Sequence, residues 1–214
     1  MENLHDKRKV YEKSQLLENQ IKENPMEQFR NWFLEAEENP AISEANAMAL
    51  STVEADGCPR TRMVLLKSYS WEGFTFYTNY ESRKGKSIEE NHYACLHFFW
   101  PTLERQIIIK AKVERIAENL SDGYFQSRPK GSQLGAKVSP QSQVIPDREF
   151  LEEQLKNLEI EFENKEIPRP ENWGGYIAKP FEIEFWQGRP NRLHDRIIYE
   201  LQADFNWKIS RLAP

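Results

Sequence analysis

Cysteine is close to absent from this chain: Cys58 and Cys95 are the only two among 214 residues, and they form no CxxC or Cys/His spacing. That excludes a disulfide framework and a thiolate zinc site, and leaves the expectation of a reduced pair of buried or half-buried thiols in separate strand-like segments. The four histidines, His5, His92, His97 and His194, are too scattered for a zinc site, and His97 within Cys-Leu-His-Phe-Phe reads as a satisfied core or interface residue. No apolar run is long enough to span a bilayer, and residues 1–7 lack the apolar stretch of a signal peptide, so the expectation is a cytoplasmic protein with no membrane partner. GxGxxG, GxxxxGK followed by Ser or Thr, and GxSxG are all missing. The common nucleotide-binding glycine loops and the hydrolase elbow are thereby excluded.

Excess positive charge is missing too. The formal net charge of −5 argues against a nucleic-acid binder, which normally carries a surplus of cations. The cations are nevertheless segregated, at 60–67, 83–86, 128–137 and 189–196, while acidic residues dominate 149–164. An acidic protein arranged this way can hold a local anion pocket.

What is present reads as one domain. Asn24-Pro25 has the form of a cap followed by Pro at the first helical position, and Phe29, Trp32, Phe33 and Ala36 recur at helical spacing, predicting a helix over 25–38. Residues 1–23 are polar and are expected to be a flexible arm or lid, leaving 24–214 as a single domain with no linker. Strand periodicity covers 47–55 and 61–67 around an Asp56-Gly57 turn, then 73–79, 93–100, 105–116, 175–185, 193–201 and 205–211. Helical segments fall at 82–91, at 121–137 with a break near Pro129, and at 149–164. Seven or eight mostly antiparallel strands with interspersed helices indicate an α+β domain around a barrel-like sheet.

The most informative stretch is 182–196, Glu-Ile-Glu-Phe-Trp-Gln-Gly-Arg-Pro-Asn-Arg-Leu-His-Asp-Arg. In an extended segment Arg192, His194 and Arg196 would share one face, and two guanidiniums lower the tendency of the imidazole between them to take up a proton. An anionic ligand offsets that repulsion, and the Trp186 indole offers a flat surface to a ring. A solvated hairpin edge uses the same residues. Three further segments carry cations in suggestive places. Arg62-Met63-Val64-Leu65-Leu66-Lys67 is an apolar strand bracketed by charge, yet parity puts Arg62 and Lys67 on opposite faces unless the strand bends, ends before Lys67 or lies between two sites. Phe76-Tyr77-Thr78-Asn79 leads into Ser82-Arg83-Lys84, a helix start whose free N–H groups favour phosphate, or else an ordinary surface helix. Tyr124, Arg128 and Ser132 fall at helical spacing, although Pro129 pushes Arg128 out of the α region. A corner could converge the three, and a plain polar helix accounts for them equally. Gln106, Gln141 and Ser142 are neutral donors and acceptors of the kind that read a heterocycle.

Taken together and in this order, these segments, with Leu103-Glu104-Arg105-Gln106 and Glu184-Phe185-Trp186-Gln187-Gly188, resemble the pyridoxine/pyridoxamine 5′-phosphate oxidase family from about residue 25 to Pro214. The resemblance implies a mostly antiparallel FMN-binding split β-barrel with surrounding helices, working as a homodimer with its sites at the subunit interface. It implies oxidation of pyridoxamine and pyridoxine 5′-phosphate to pyridoxal 5′-phosphate, with O2 reduced to H2O2. By similarity, FMN contacts fall on Arg62, Met63, Val64, Leu65, Leu66, Lys67, Tyr77, Thr78, Ser82, Arg83, Lys84, Gln106, Gln141, Ser142, Trp186 and Arg196. Substrate contacts fall on Lys67, Tyr124, Arg128, Ser132, Arg192, Leu193 and His194, with Arg8, Lys9 and Tyr11 from a closing N-terminal segment, and catalysis on Arg192 and His194. The chain departs from the family after that segment, where Ser14-Gln15-Leu16 stands in place of the usual Gly-Leu. The rival readings are another split-barrel flavoprotein, such as a flavin reductase or a non-catalytic FMN binder, and a module that delivers pyridoxal phosphate. A second anion site beside the first favours the oxidase.

Overall fold

Asn24 caps the first helix of the protein, accepting the Met26 N–H at 2.9 Å, and α1 (Pro25–Glu37) follows in a computed structural model that describes residues 3–214. The first two residues of the expected arm lie outside the described residues. The predicted periodicity holds: Phe29, Trp32, Phe33 and Ala36 are all buried. Phe29 meets the rings of Tyr69, Phe74 and Phe98 edge-on, and Trp32 meets Phe185, so α1 plugs the concave side of the sheet.

Among the described residues that sheet holds nine strands. They are β1 (Ala47–Val53), β2 (Pro59–Leu65), β3 (Ser68–Ser70), β4 (Gly73–Asn79), β5 (Tyr93–Trp100), β6 (Arg105–Arg115), β7 (Trp173–Gln187), β8 (Asp195–Leu201) and β9 (Trp207–Leu212). The strand absent from the sequence reading is β3, whose three residues are too few to show a period. Every pairing is antiparallel, in the order β2-β1-β5-β6-β7-β4-β3, with β8 and β9 added beside β7. The 15-residue β7 makes this branching possible: its first half pairs with β4 and its second half with β8, while β6 runs along its other edge. The chain leaving β2 returns to the far side, where the Lys67 N–H donates to Thr75 O at 2.9 Å. The sheet thus curls into a split half-barrel, and β2 faces the end of β4.

Strand alternation sorts the side chains. Along β6, Ile107, Ile109, Ala111 and Val113 point into the core, while Gln106, Ile108, Lys110 and Lys112 point outward. α2 (Arg83–Glu90) follows β4 directly, and α3 (Glu118–Ser127), α4 (Lys130–Val138) and α5 (Arg148–Glu161) lie between β6 and β7. Phe125, Leu134, Phe162, Ile167 and Trp173 form a second, smaller core in this helical region. No helix among the described residues is long and apolar enough to cross a membrane. Cys58 differs from expectation: it is exposed in the turn before β2, because the loop closes through Glu54 N–H to Cys58 O and Gly57 takes a positive φ.

Candidate functional site

A cleft of about 470 Å³ opens where β2 faces β4, with α3 and α4 as its far wall. Met63, Val64 and Leu65 come from the end of β2, Lys67 from the chain just beyond it, Tyr77 and Thr78 from β4, and Lys84 from α2. Tyr124, Arg128, Pro129, Ser132, Gln141 and Trp173 complete the lining. Because β2 ends at Leu65, Lys67 is freed from the parity of the strand, while Arg62 turns to β1 and does not line this cleft. Beyond that point Leu66 turns its side chain into the core, 3% exposed, and Lys67 faces the cleft.

Ser82 caps α2 by accepting the Gly85 N–H, and a glycine is needed there: a Cβ at residue 85 would lie 2.0 Å from Tyr80 O. This tight turn carries Lys84 back towards Thr78, Ser82 and Gln141, whose oxygens accept from its Nζ at 3.0, 3.1 and 2.5 Å. All three acceptors are neutral. Burial, and then the charge of Arg62, bring the Lys84 ammonium down to about 8. Arg62 donates through Nη1 to Leu50 O and Thr52 Oγ1, while its Nη2 is buried with no partner.

Arg128 shows the same pattern. α3 stops at Ser127, Arg128 and Pro129 are extended (ψ 149° and 141°), and α4 starts at Lys130. This corner brings Tyr124, Arg128 and Ser132 onto one cleft, the convergence that proline made open to question. The guanidinium lies 4.6 Å over Trp173, and its Nη1 is buried with no partner. Burial lowers its pKa, opposed by the Tyr124 phenol. Tyr77 and Tyr124 stack at 3.9 Å, with Trp173 stacked 5.6 Å from Tyr77. Among the described residues no ion pair reaches Arg62, Lys67, Lys84 or Arg128, whereas Arg105, Arg169, Arg196 and Arg211 are all paired. Lys84 and Arg128, partly desolvated and without carboxylates beside flat aromatic faces, suit an anionic ligand that carries a ring.

A second cleft of about 460 Å³ is lined by Lys7, Arg8, Lys9, Val10, Tyr11, Arg189, Asn191, Arg192 and His194. It shares no lining residue with the first. Here the single-face expectation for Arg192, His194 and Arg196 is corrected. Pro190–Arg192 form a short 3-10 turn with Asn191 and Arg192 at φ 57° and 62°, and β8 begins only at Asp195. The turn swings Arg192 and His194 over the cleft. Arg196 instead reaches Glu184 through Nε at 2.7 Å and Nη2 at 3.0 Å. Positive φ at Arg192 is backbone strain of the kind that accompanies functional turns.

The Arg189 N–H donates to His194 Nδ1 at 3.0 Å. This bond leaves the ring hydrogen on Nε2, where it can be donated to a ligand. Burial and then Arg192 lower the His194 pKa, against the opposing charge of Asp195. The imidazole lies 4.6 Å from the Trp186 ring.

Gln106, Trp186 and Arg196 are register partners on β6, β7 and β8, so they form one row on the outward face of the sheet. His97 Nε2 and Gln106 Oε1 are 2.9 Å apart, which fixes the amide. Of the remaining expected residues, Arg83 and Ser142 are exposed and line neither cleft, and Leu193 is 69% exposed. Trp173, Arg189 and Asn191 were missed. Trp173 stands far along the chain from the residues it faces, and no spacing rule connects them. Asn191 next to Pro190 carried a turn signal only.

Residues 34–160 match the family model described as pyridoxamine 5′-phosphate oxidase, and residues 173–214 match the pyridoxine 5′-phosphate oxidase C-terminal dimerisation region. The chain is 62% identical over 214 residues to the pyridoxine/pyridoxamine 5′-phosphate oxidase of Flavobacterium psychrophilum, spanning 100% of both. It is 59% identical over 213 residues to that of Flavobacterium johnsoniae, again spanning 100% of both. Among solved structures, PhzG from Burkholderia lata in complex with tetrahydrophenazine-1-carboxylic acid matches with TM-score 0.86 at 28% identity, over 93% of this chain and 98% of that one. A pyridoxamine 5′-phosphate oxidase-related, FMN binding protein from Nostoc punctiforme shares the fold, with TM-score 0.69 at 16% identity over 87% and 97% of the two chains.

Proposed function

The chain belongs to the pyridoxamine 5′-phosphate oxidase family, an oxidoreductase family, and from that premise we propose that it converts pyridoxamine and pyridoxine 5′-phosphate to pyridoxal 5′-phosphate with FMN as cofactor. Dioxygen is the final electron acceptor and is reduced to hydrogen peroxide. With the amine substrate, water hydrolyses the resulting imine and releases ammonia. The reaction serves cytoplasmic vitamin B6 salvage. The observation that carries this reading is the set of cations at the first cleft that lack carboxylate partners among the described residues, Lys67, Lys84 and Arg128, with Arg128 Nη1 buried and without a partner and Arg62, whose charge acts on Lys84, keeping Nη2 in the same state behind it. Two such orphaned donors fit a ligand set that includes phosphate.

Arg62, Lys84, Gln141 and the end of β2 would hold FMN, with Gln106, Trp186 and Arg196 supplied from the outward row, Arg196 while held in place by Glu184. Bound FMN supplies the acceptor for the hydride equivalent leaving the substrate C4′ carbon. Lys67, Tyr124, Arg128 and Ser132 take the substrate phosphate, and Arg192 and His194 stand over its pyridine ring. With Nδ1 occupied, His194 orients the ring through its Nε2 hydrogen, and Arg192 assists removal of the proton from the C4′ substituent. The two clefts share no residue within one chain, and the C-terminal region matches a dimerisation module. A homodimer that sets the second cleft of one subunit against the first cleft of its partner would complete each site.

The test is anaerobic mixing of FMN-loaded protein with pyridoxamine 5′-phosphate, followed by air. Bleaching of the flavin band, then recovery with pyridoxal phosphate and peroxide, is the expected course. Bound FMN that stays oxidised would refute the substrate assignment, and failure to bind FMN would refute the cofactor assignment.

A further inference from the structure

Glu104 is a carboxylate that the oxidase reading leaves without a task. It occupies the tight turn between β5 and β6, is 2% exposed, and has a φ of 57°, a conformation that is unfavourable for a residue with a Cβ. This backbone geometry turns its side chain towards the N-terminal segment. Oε2 accepts the backbone N–H groups of Glu12 at 2.9 Å and Lys13 at 3.0 Å, and Oε1 faces Lys9 Nζ at 3.3 Å. Lys13 Nζ donates to Thr102 O of the same turn at 2.7 Å.

An independent observation lies next to it. The Gly188 N–H donates to Glu104 O at 2.7 Å, and a Cβ at residue 188 would lie 2.8 Å from Tyr11 Cγ and 2.9 Å from Tyr11 Cβ. Only glycine leaves room for Tyr11, whose ring sits 5.8 Å from both Trp186 and His194. Burial alone would raise the Glu104 carboxyl, but the two backbone N–H groups and Lys9 outweigh it and hold it below the usual carboxylate range, so it is charged at neutral pH.

We propose that Glu104 and Gly188 form a latch that seats residues 9–13 and holds Tyr11 against the second cleft, making Glu104 a positioning residue for substrate. The substrate half of this statement rests on the oxidase reading. The seat itself does not.

Two variants test it, Glu104→Ala and Gly188→Ala, in FMN-loaded protein. Without substrate, trypsin cleavage after Lys9 and Lys13, followed by mass spectrometry, should accelerate about tenfold in each variant, the size expected when charge-assisted contacts that close a segment are lost. With pyridoxamine 5′-phosphate, KM should rise roughly tenfold while kcat stays within about twofold, the pattern of lost uniform binding. In a Tyr11→Ala background, Gly188→Ala should add nothing further to KM, because Gly188 acts through that ring. Unchanged cleavage in both variants overturns the latch. Faster cleavage with an unchanged KM overturns its role in positioning substrate, and a fall in kcat at constant KM does the same. If the wild-type protein fails to turn over the substrate, the oxidase reading is what fails, and the cleavage rates alone still decide the seat.

Discussion

Arg128→Ala separates binding from folding more cleanly than any other change at the first cleft. The guanidinium has no carboxylate partner among the described residues, keeps Nη1 buried and unsatisfied, and packs 4.6 Å over Trp173. Removing it from the ligand-free protein loses a cation–π contact worth about 0.5–2 kcal/mol. The same change relieves a buried unpaired donor that costs about 1–3 kcal/mol. These terms oppose each other, so the net lies between a loss of about 1 kcal/mol and a gain of about 2.5 kcal/mol, and Tm falls by no more than about 2–4 °C. The bound state behaves differently. A hydrogen bond to a charged group contributes about 1.5–3 kcal/mol, so losing one guanidinium–phosphate contact weakens binding roughly tenfold to a hundredfold. Steady-state KM for pyridoxamine 5′-phosphate, measured beside a thermal melt, shows both effects. Unphosphorylated pyridoxamine is the control, since a phosphate contact cannot affect it. An equal loss for both substrates, or a large fall in Tm with KM unchanged, would refute the reasoning and make Arg128 a structural residue.

Gly85→Ala should cost about 3 kcal/mol, because its Cβ meets Tyr80 O at 2.0 Å and that oxygen is backbone, which cannot swing aside. A Tm loss of roughly 6–12 °C in a melt, with Lys84 displaced, is the expected outcome. His194 is held below its ordinary pKa, so as pH falls below about 6.5 the unfolded chain takes up the proton first and stability is lost across that window. Above about 6.5 the ring is neutral in both states and the Arg189 contact is fully present. Because Arg192 is one cause of the depression, an NMR titration of Arg192→Ala should give a higher His194 pKa than wild type, and an unchanged value would exclude that coupling.

Much of this architecture is local and therefore legible in the chain. Asn24-Pro25 begins α1 because cap and proline act on their nearest neighbours, and the alternation of β6 survives because a period of two needs no partner to be visible. Segregation of cations into four clusters points to anion sites, and the joined segments resemble the family without any geometry. Three features belong to tertiary structure alone. Arg196 is drawn away from Arg192 and His194 by Glu184, since β7 and β8 pair in a register that no single strand encodes. Trp173 and Arg128 meet only because the sheet curls and the α3–α4 corner folds over it. Glu104 reaches the backbone of Glu12 across a separation of 92 residues, through a turn whose positive φ the residue type does not announce. Sequence determined which side chains carry charge, rings and helix caps, because these follow from residue type and near neighbours. Register and long-range closure decided which of those charges remain unpaired, and so where a ligand can bind.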